Sequence, residues 1–187
     1  MRKMVEIRIH GRGGQGSVTA AELLARAAFY DGHFTQAFPS FGVERRGAPL
    51  EAFCRISNEP ILLREQIYHP HFLIIQDATL LDDESVLQGI NKDVSILINS
   101  QNDFSPHLKA KAVLSVPATQ IALKIIGKPF FNTAILGAFC AMSGLVSVAS
   151  LERVISEHFP VAIASVNVAS MKEGYRVVKE GSGEVKL

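Results

Sequence analysis

Apolar and polar residues alternate near the start of the chain, and the pattern then changes to a helical spacing. Residues 5–9 alternate with period two, which predicts a β-strand. A glycine-rich run follows at residues 11–16, and residues 17–29 then place alanine and leucine at helical intervals. The opening of the chain is therefore predicted to be a strand, a glycine loop and a helix.

Continuous apolar runs farther along predict strands that are covered on both faces, as in a parallel sheet. These runs are residues 72–75, 94–98 and 112–116, and further strands are predicted at 34–38 and 50–56. Residues 61–63 are expected to return as the hairpin partner of 50–56. Helices are predicted at residues 82–90, 117–126, 133–144, 151–159 and 161–177.

The order of these elements predicts one α/β domain over residues 1–179. Its three layers are a mainly parallel, Rossmann-like sheet and the helices that cover each of its two faces, and a small hairpin insertion is expected in addition. Residues 180–187 contain two glycines and a serine and are predicted to form a flexible tail.

Composition restricts the class of protein. The 187 residues include 19 Lys and Arg against 18 Asp and Glu, a net charge of +1, which argues against a nucleic-acid-binding protein. Apolar residues make up 48% of the chain and charged residues 20%, below the usual ~25%. This high apolar content and low charged content indicate either an obligate protein partner or a deep core.

Targeting and metal-binding signals are weak. The first ten residues lack the apolar stretch of a signal peptide, so a cytoplasmic protein is expected. Residues 129–151 carry no charge, but their serines and glycines favour a buried or subunit-facing helix over a membrane span. Cys54 and Cys140 form no C-x-x-C motif, which argues against an Fe–S or zinc site on this chain.

The glycine loop is the strongest candidate site. Glycines between a strand and a helix let backbone N–H groups approach an anion, and the helix N-terminus adds partial positive charge. A phosphate-bearing ligand is one interpretation, and a tight turn without a ligand is the other. The predicted second strand ends at Phe38 without an acidic residue, which argues against NAD. The candidate binding residues are Gly11, Arg12, Gly13, Gly14, Gln15, Gly16 and Ser17.

Two further segments are candidates for contact with an anion or with another protein. The loop at residues 38–49 carries Glu44, Arg45 and Arg46, and arginine and aromatic residues are common at protein interfaces. Asn132 and Thr133 begin a helix that is rich in small residues, so they either face the same crevice or serve packing alone. The sequence contains no obvious catalytic set of side chains.

Taken together, these motifs resemble a known family. The matching segments are residues 10–16, 37–39, 42–49, 132–133 and 136–138. Their order and spacing are similar to the gamma subunit of 2-oxoacid:ferredoxin or flavodoxin oxidoreductases over about residues 5–175. The form of residues 44–49 is most similar to the pyruvate branch, although other branches often carry two glycines at Gly47 and Ala48.

The resemblance implies a share in an enzyme that decarboxylates a 2-oxoacid and delivers the acyl group to coenzyme A. It implies a fold like domain III of the single-chain pyruvate:ferredoxin oxidoreductases, with the glycine loop at the coenzyme A site. It places thiamine diphosphate and Fe–S clusters on alpha, beta or delta partner subunits, with ferredoxin or flavodoxin as the electron acceptor. A stand-alone Rossmann-like nucleotide-binding protein is the alternative.

Overall fold

A six-stranded sheet forms the centre of the fold, in the order β2-β3-β1-β4-β5-β6. The computed structural model describes residues 3–40 and 47–181. Strands β1, β4, β5 and β6 run parallel, whereas β3 is antiparallel to both β1 and β2. The strands are β1 (Met4–Arg12), β2 (Phe34–Pro39), β3 (Pro49–Ser57), β4 (Phe72–Ile75), β5 (Ser95–Asn99) and β6 (Ala112–Val116).

The α-helices pack together on one face of this sheet. Their apolar residues join Ile7 and Ile9 of β1 and Ile74 of β4 in the larger hydrophobic core. Glycines allow the α3–α5 pair to approach closely, because a Cβ atom on Gly137 would lie 1.9 Å from the carbonyl oxygen of Met171. The helices are α1 (Ser17–Tyr30), α2 (Ala118–Ile125), α3 (Asn132–Ser143), α4 (Val148–His158) and α5 (Val161–Gly181).

Three short 3-10 helices and irregular chain cover the other face. The 3-10 helices are Ala78–Asp82, Glu84–Leu87 and Ser105–His107, and they replace the α-helix expected at residues 82–90. That expectation was wrong because Asp77 and Asp83 each cap a separate short turn, and Gly89 then takes a left-handed conformation at φ +76°. The α/β fold with a mixed sheet and helices on both sides is confirmed.

Residues 61–71, here called the strap, cross this second face without regular secondary structure. The predicted hairpin between residues 50–56 and 61–63 was therefore wrong, because β3 pairs with β2 instead. Two buried arginines hold the strap through its carbonyl groups. Arg8 donates to the carbonyls of Ile67 and Tyr68, and Arg55 donates to that of Glu65 at 2.8 Å.

The last helix runs to Gly181 and so includes the first two residues of the segment predicted as a tail. The other residues of that segment lie outside the described part of the chain. The uncharged segment at residues 129–151 contains all of α3 and the start of α4, with Gly144 in a left-handed conformation between them. Within residues 3–40 and 47–181, we find no helix of the length and apolarity that a bilayer crossing requires.

Candidate functional site

The candidate site lies where the parallel strands end. Because β1, β4 and β5 run in the same direction, their carboxyl ends meet at one edge of the sheet. The chain leaves β1 through α1 towards the helical face, whereas it leaves β4 through a 3-10 helix towards the opposite face. Ligands of open α/β sheets bind at such a divergence. The glycine loop, residues 11–16, stands at this point.

Two glycines of the loop are required by close packing. Gly11 is buried, and a Cβ atom there would lie 2.3 Å from Ser17 Oγ and 2.6 Å from Gln76 Oε1. Gly16 precedes α1 at φ +76°, and its Cβ would lie 2.1 Å from Asn132 Nδ2. These glycines therefore hold β1, α1 and α3 together, whether or not a ligand binds.

Several N–H groups of the loop are already hydrogen-bonded. The N–H of Gly13 donates to the carbonyl of Ala48 at 2.8 Å, and that of Gln15 donates to Arg12 at 2.9 Å. The N–H of Arg12 donates to the side-chain oxygen of Gln15 at 2.7 Å. These three N–H groups are therefore not available to a bound anion, and fewer N–H groups of the loop remain for the predicted anion contact.

The remaining N–H groups lie at Gly14, at Gly16 and in the first turn of α1. Among the described residues, neither glycine N–H has a hydrogen-bond acceptor. Ser17, Val18 and Thr19 lack a carbonyl one turn earlier in the helix, and no acidic residue occupies this turn. Gly14 is exposed, and Gly16, Val18 and Thr19 are half-buried, so this opening reaches solvent.

Arg12 is held in place by residues that follow β4. Its Nε donates to Asp77 Oδ2 at 2.9 Å, and its Nη2 donates to Thr79 Oγ1 at 2.8 Å. Burial alone would raise the pKa of Asp77, but hydrogen bonds from Thr79, Gln15 and Arg12 lower it. Asp77 is therefore ionised and offsets the charge of Arg12. The guanidinium therefore orders the loop, and little of its charge remains free to attract a ligand.

Ser17, Gln76 and Asn132 form a chain of side-chain contacts behind the loop. Ser17 Oγ donates to Gln76 Oε1 at 2.7 Å, and Gln76 Nε2 donates to Asn132 Oδ1 at 3.4 Å. The hydroxyl of Ser17 is thereby engaged inside the protein. Neither Gln76 nor Asp77 is among the candidate residues identified from the sequence. The available signal was their position directly after the apolar run at 72–75.

The remaining candidate residues, in the 38–49 loop and at the start of α3, do not form one cluster. Asn132 lies against the glycine loop, whereas Thr133 is buried and donates to Asn167 Oδ1 of α5 at 3.1 Å. Thr133 thus packs within the helical layer. Glu44, Arg45 and Arg46 lie outside the described residues. The described residues next to them approach the glycine loop, since the N–H of Gly47 donates to the carbonyl of Gly13 at 3.0 Å.

Comparison with known proteins decides the family. The model of the pyruvate ferredoxin/flavodoxin oxidoreductase family matches residues 6–177. The chain belongs to this oxidoreductase family. Pyruvate synthase subunit PorC of Methanocaldococcus jannaschii is 49% identical over 172 residues, which cover 92% of this chain and 96% of that one. Other curated relatives are named as the common gamma subunit of pyruvate/ketoisovalerate oxidoreductases. The resemblance inferred from the motifs is confirmed.

Solved structures of oxidoreductases have the same fold. The crystal structure of pyruvate oxidoreductase subunit PORC from Thermotoga maritima has a TM-score of 0.81 and 35% identity, covering 94% of this chain and 97% of that one. A 2-oxoglutarate:ferredoxin oxidoreductase from Magnetococcus marinus has a TM-score of 0.78 and 19% identity. The match covers 96% of this chain but 32% of that longer one.

The cysteines of this oxidoreductase chain are structural. Cys54 and Cys140 are buried and unpaired, and burial raises the pKa of each thiol to about 12. Both thiols are therefore protonated at neutral pH and ill-suited to bind metal. Within residues 3–40 and 47–181, histidine, cysteine and acidic side chains form no group of three or more with metal-binding geometry.

Proposed function

We propose that this chain is the gamma subunit of a pyruvate-type 2-oxoacid oxidoreductase and that the opening at its glycine loop binds a phosphate group of coenzyme A. In this proposal, alpha, beta and possibly delta subunits carry thiamine diphosphate and the Fe–S clusters. Ferredoxin or flavodoxin accepts the electrons, and the complex works in the cytoplasm. The names of the curated relatives support the subunit assignment and pyruvate as the 2-oxoacid.

One observation carries the ligand assignment. The N-terminus of α1 faces the sheet crevice with N–H groups that have no acceptor among the described residues, and its first turn contains no acidic side chain. Negative side chains normally stabilise this position, so their absence leaves the helix's partial positive charge for a ligand. When the phosphate is anchored here, the thiol of coenzyme A remains free to accept an acyl group at the active centre of a partner subunit.

The likeness to the Magnetococcus marinus enzyme adds support of a different kind. That enzyme, about a third of which matches this fold, was solved with 2-oxoglutarate, coenzyme A and succinyl-CoA bound. The fold is therefore compatible with an enzyme that uses coenzyme A. The assignment of the phosphate to residues 14–19 rests on the geometry of this chain.

Free dinucleotide binding is disfavoured by the neighbours of β1. A Rossmann site for NAD places an acidic side chain beside the first strand to accept the ribose hydroxyls. Here β3 stands between β1 and β2. Asp77 follows the parallel neighbour β4, but its two oxygens already accept hydrogen bonds from Arg12, Gln15 and Thr79. The stand-alone nucleotide-binding alternative therefore lacks a ribose acceptor among the described residues.

A pair of glycine variants tests coenzyme A binding. Gly14 and Gly32 have nearly the same left-handed backbone, at φ +90° and +89°, so valine strains both positions similarly. Only Gly14 lies at the proposed site. We expect Gly14→Val to raise the coenzyme A concentration for half-maximal activity of the assembled complex about tenfold or more. This change corresponds to the loss of about one charge-assisted hydrogen bond to the phosphate.

The matched variant separates binding from stability. Gly32→Val is expected to lower the melting temperature as Gly14→Val does, while leaving the coenzyme A dependence unchanged. Equal coenzyme A dependence in both variants, within complexes of equal subunit content, refutes the site. The subunit assignment is tested separately by purifying the tagged chain from its host, where a thiamine-binding partner is expected. Recovery of the chain alone contradicts the assignment.

A further inference from the structure

Strand β2 forms one edge of the sheet, far along the strand order from the ends of β4 and β5. The N–H of Ser40 donates to the carbonyl of Glu51 at 2.9 Å, which fixes the phase of the ladder between β2 and β3. Bonded and non-bonded pairs alternate along an antiparallel ladder, so the even-numbered residues of β2 bond to β3. The main-chain N–H and C=O groups of Thr35 and Ala37 therefore point away from β3.

No segment of the described chain pairs with these outward groups. Within residues 3–40 and 47–181, the main-chain groups of Thr35 and Ala37 have no hydrogen-bond partner. Edge strands usually prevent pairing with another strand through charged side chains or a bulge. The six residues of β2 carry no charge, and their register with β3 is continuous from Phe34 to Pro39. This edge is therefore open to a further strand.

The opposite edge of the sheet is protected in the usual way. Lys111 immediately precedes β6, and Lys109 lies two residues earlier. The 3-10 helix Ser105–His107 also packs against β6. Lysines and a covering segment are common protections of an edge strand. The uncharged edge at β2 contrasts with this arrangement within the same sheet.

Apolar side chains lie beside the open edge. Gln36 Nε2 donates to the carbonyl of Leu63 at 3.0 Å, which places this part of the strap next to β2. Leu62 and Leu63 are 88% and 41% exposed. Phe34 lies on the same face of β2 as Gln36 and is 49% exposed. Exposed apolar residues that gather at one place are typical of a protein interface.

We propose that β2 pairs antiparallel with β2 of a second copy of this chain, around a twofold axis at Gln36. In this register, Thr35 lies opposite Ala37 of the second copy, and each of the two residues donates one main-chain hydrogen bond and accepts one. The twofold axis repeats these bonds, so the outward groups of both residues are paired in both copies.

The side chains of β2 favour a second copy over an unrelated strand. A residue on a twofold axis faces itself, so a charged side chain there would repel its own copy. Gln36 is neutral, and its amide is already bonded to Arg55 and Leu63 of its own copy. The same register places Phe34 opposite Phe38 of the second copy, at the close spacing of a non-bonded pair. This aromatic pair covers the exposed ring of Phe34 and stabilises the contact.

Ala37→Pro is the decisive variant, and sedimentation of the full chain is the measurement. We expect the wild type to dimerise reversibly between micromolar and millimolar concentration, because one strand pair with its flanking side chains is a small interface. Proline at residue 37 removes an N–H that points away from β3, and Pro39 already occupies the same side of the strand. The dissociation constant of the dimer should rise about tenfold or more, because each dimer loses one hydrogen bond per copy.

Phe34→Lys is a second variant that leaves the main chain unchanged. It removes the aromatic pair and adds charge at the edge, so the dissociation constant should again rise. Phe130→Lys is the matched control, because Phe130 is similarly exposed but precedes α3, and it is expected to leave dimerisation unchanged. A wild-type chain that stays monomeric over the whole concentration range overturns the proposal. Dimers that are equally stable in Ala37→Pro, Phe34→Lys and the wild type also overturn it.

Amide exchange of the wild-type chain locates the contact without a substitution. The N–H groups of Thr35 and Ala37 should exchange more slowly as the chain concentration rises, whereas those of Gln36 and Phe38 are already protected by β3. Exchange at residues 35 and 37 that is independent of concentration overturns the pairing. Protection that appears only in the assembled oxidoreductase overturns the second copy in favour of a strand from another subunit. None of these results depends on coenzyme A binding.

Discussion

A glutamate in the first turn of α1 would separate the stability of the glycine-loop region from its proposed ligand binding. Thr19 is the third residue of α1 and is half-buried at the opening. Glu at this position can reach back to the N–H of Gly16 and interact with the helix dipole, which stabilises helices by about 0.3–1 kcal/mol. In a chain of this length, that gain raises the melting temperature by roughly 1–4 °C.

The same carboxylate opposes a bound phosphate. Taking a separation of about 6 Å, one unit of charge costs about 0.7 kcal/mol in water-like surroundings and about 2.8 kcal/mol at an effective dielectric constant near 20. Coenzyme A binding by the assembled complex should therefore weaken between about threefold and about a hundredfold. Thr19→Glu thus combines a more stable subunit with weaker substrate binding, a combination that damage to the fold does not produce.

Thr19→Gln is the matched control, because glutamine reaches the same N–H group without the charge. The measurements are thermal unfolding of the chain and the coenzyme A dependence of complexes with equal subunit content. If Thr19→Glu and Thr19→Gln give the same half-saturating coenzyme A concentration, the first turn of α1 does not face the phosphate. Weaker binding at low salt that recovers at high salt would support the electrostatic cause.

Two further predictions concern the helical layer. Gly137→Ala places a methyl group 1.9 Å from the carbonyl oxygen of Met171. We expect the free energy of unfolding, measured in urea, to fall by about 1–3 kcal/mol or more. Gly181→Ala is the control and should leave the free energy of unfolding unchanged, because nothing lies within 4 Å of the added methyl group. Burial opposes the ionisation of Asp31, but hydrogen bonds from Ser147 and Ser150 lower the Asp31 pKa below its usual 3.8. Asp31→Asn should therefore destabilise the chain by about 1 kcal/mol at neutral pH. This difference in stability should shrink as the pH falls through the lowered pKa of Asp31. A difference that stays constant down to low pH would contradict this role of the Asp31 carboxylate.

The glycine loop was predictable because its sequence has a local physical meaning. Alternation in residues 5–9, glycines in 11–16 and helical spacing from Ser17 specify a strand, a turn and a helix without any distant contact. The partners of that loop were only partly predictable. Gln76 and Asp77 follow an apolar run, and parallel strands bring such ends together, but their pairing with Ser17 and Arg12 depends on β4 lying beside β1.

The strap was not predictable from local patterns. Residues 61–63 resemble a short strand in composition, yet Arg8 and Arg55 bind the carbonyls of residues 65–68, and β2 occupies the edge of β3. A buried arginine that binds main-chain oxygens leaves no sequence signal at the residues it binds. The carbonyl groups that Arg8 binds belong to segments about sixty and eighty residues away from it in the sequence.

The unequal covering of the two faces of the sheet gives the crevice two walls of different stiffness. The wall formed by α1 and α3 is fixed by a large apolar core and by backbone contact at Gly137. The wall formed by residues 77–79 belongs to a thin layer of short turns over a smaller core. A ligand entering between them therefore meets an essentially rigid surface on one side, and any adjustment of shape takes place on the other. Slow amide exchange in α3 and faster exchange at residues 78–90 would be the measurable sign of this asymmetry.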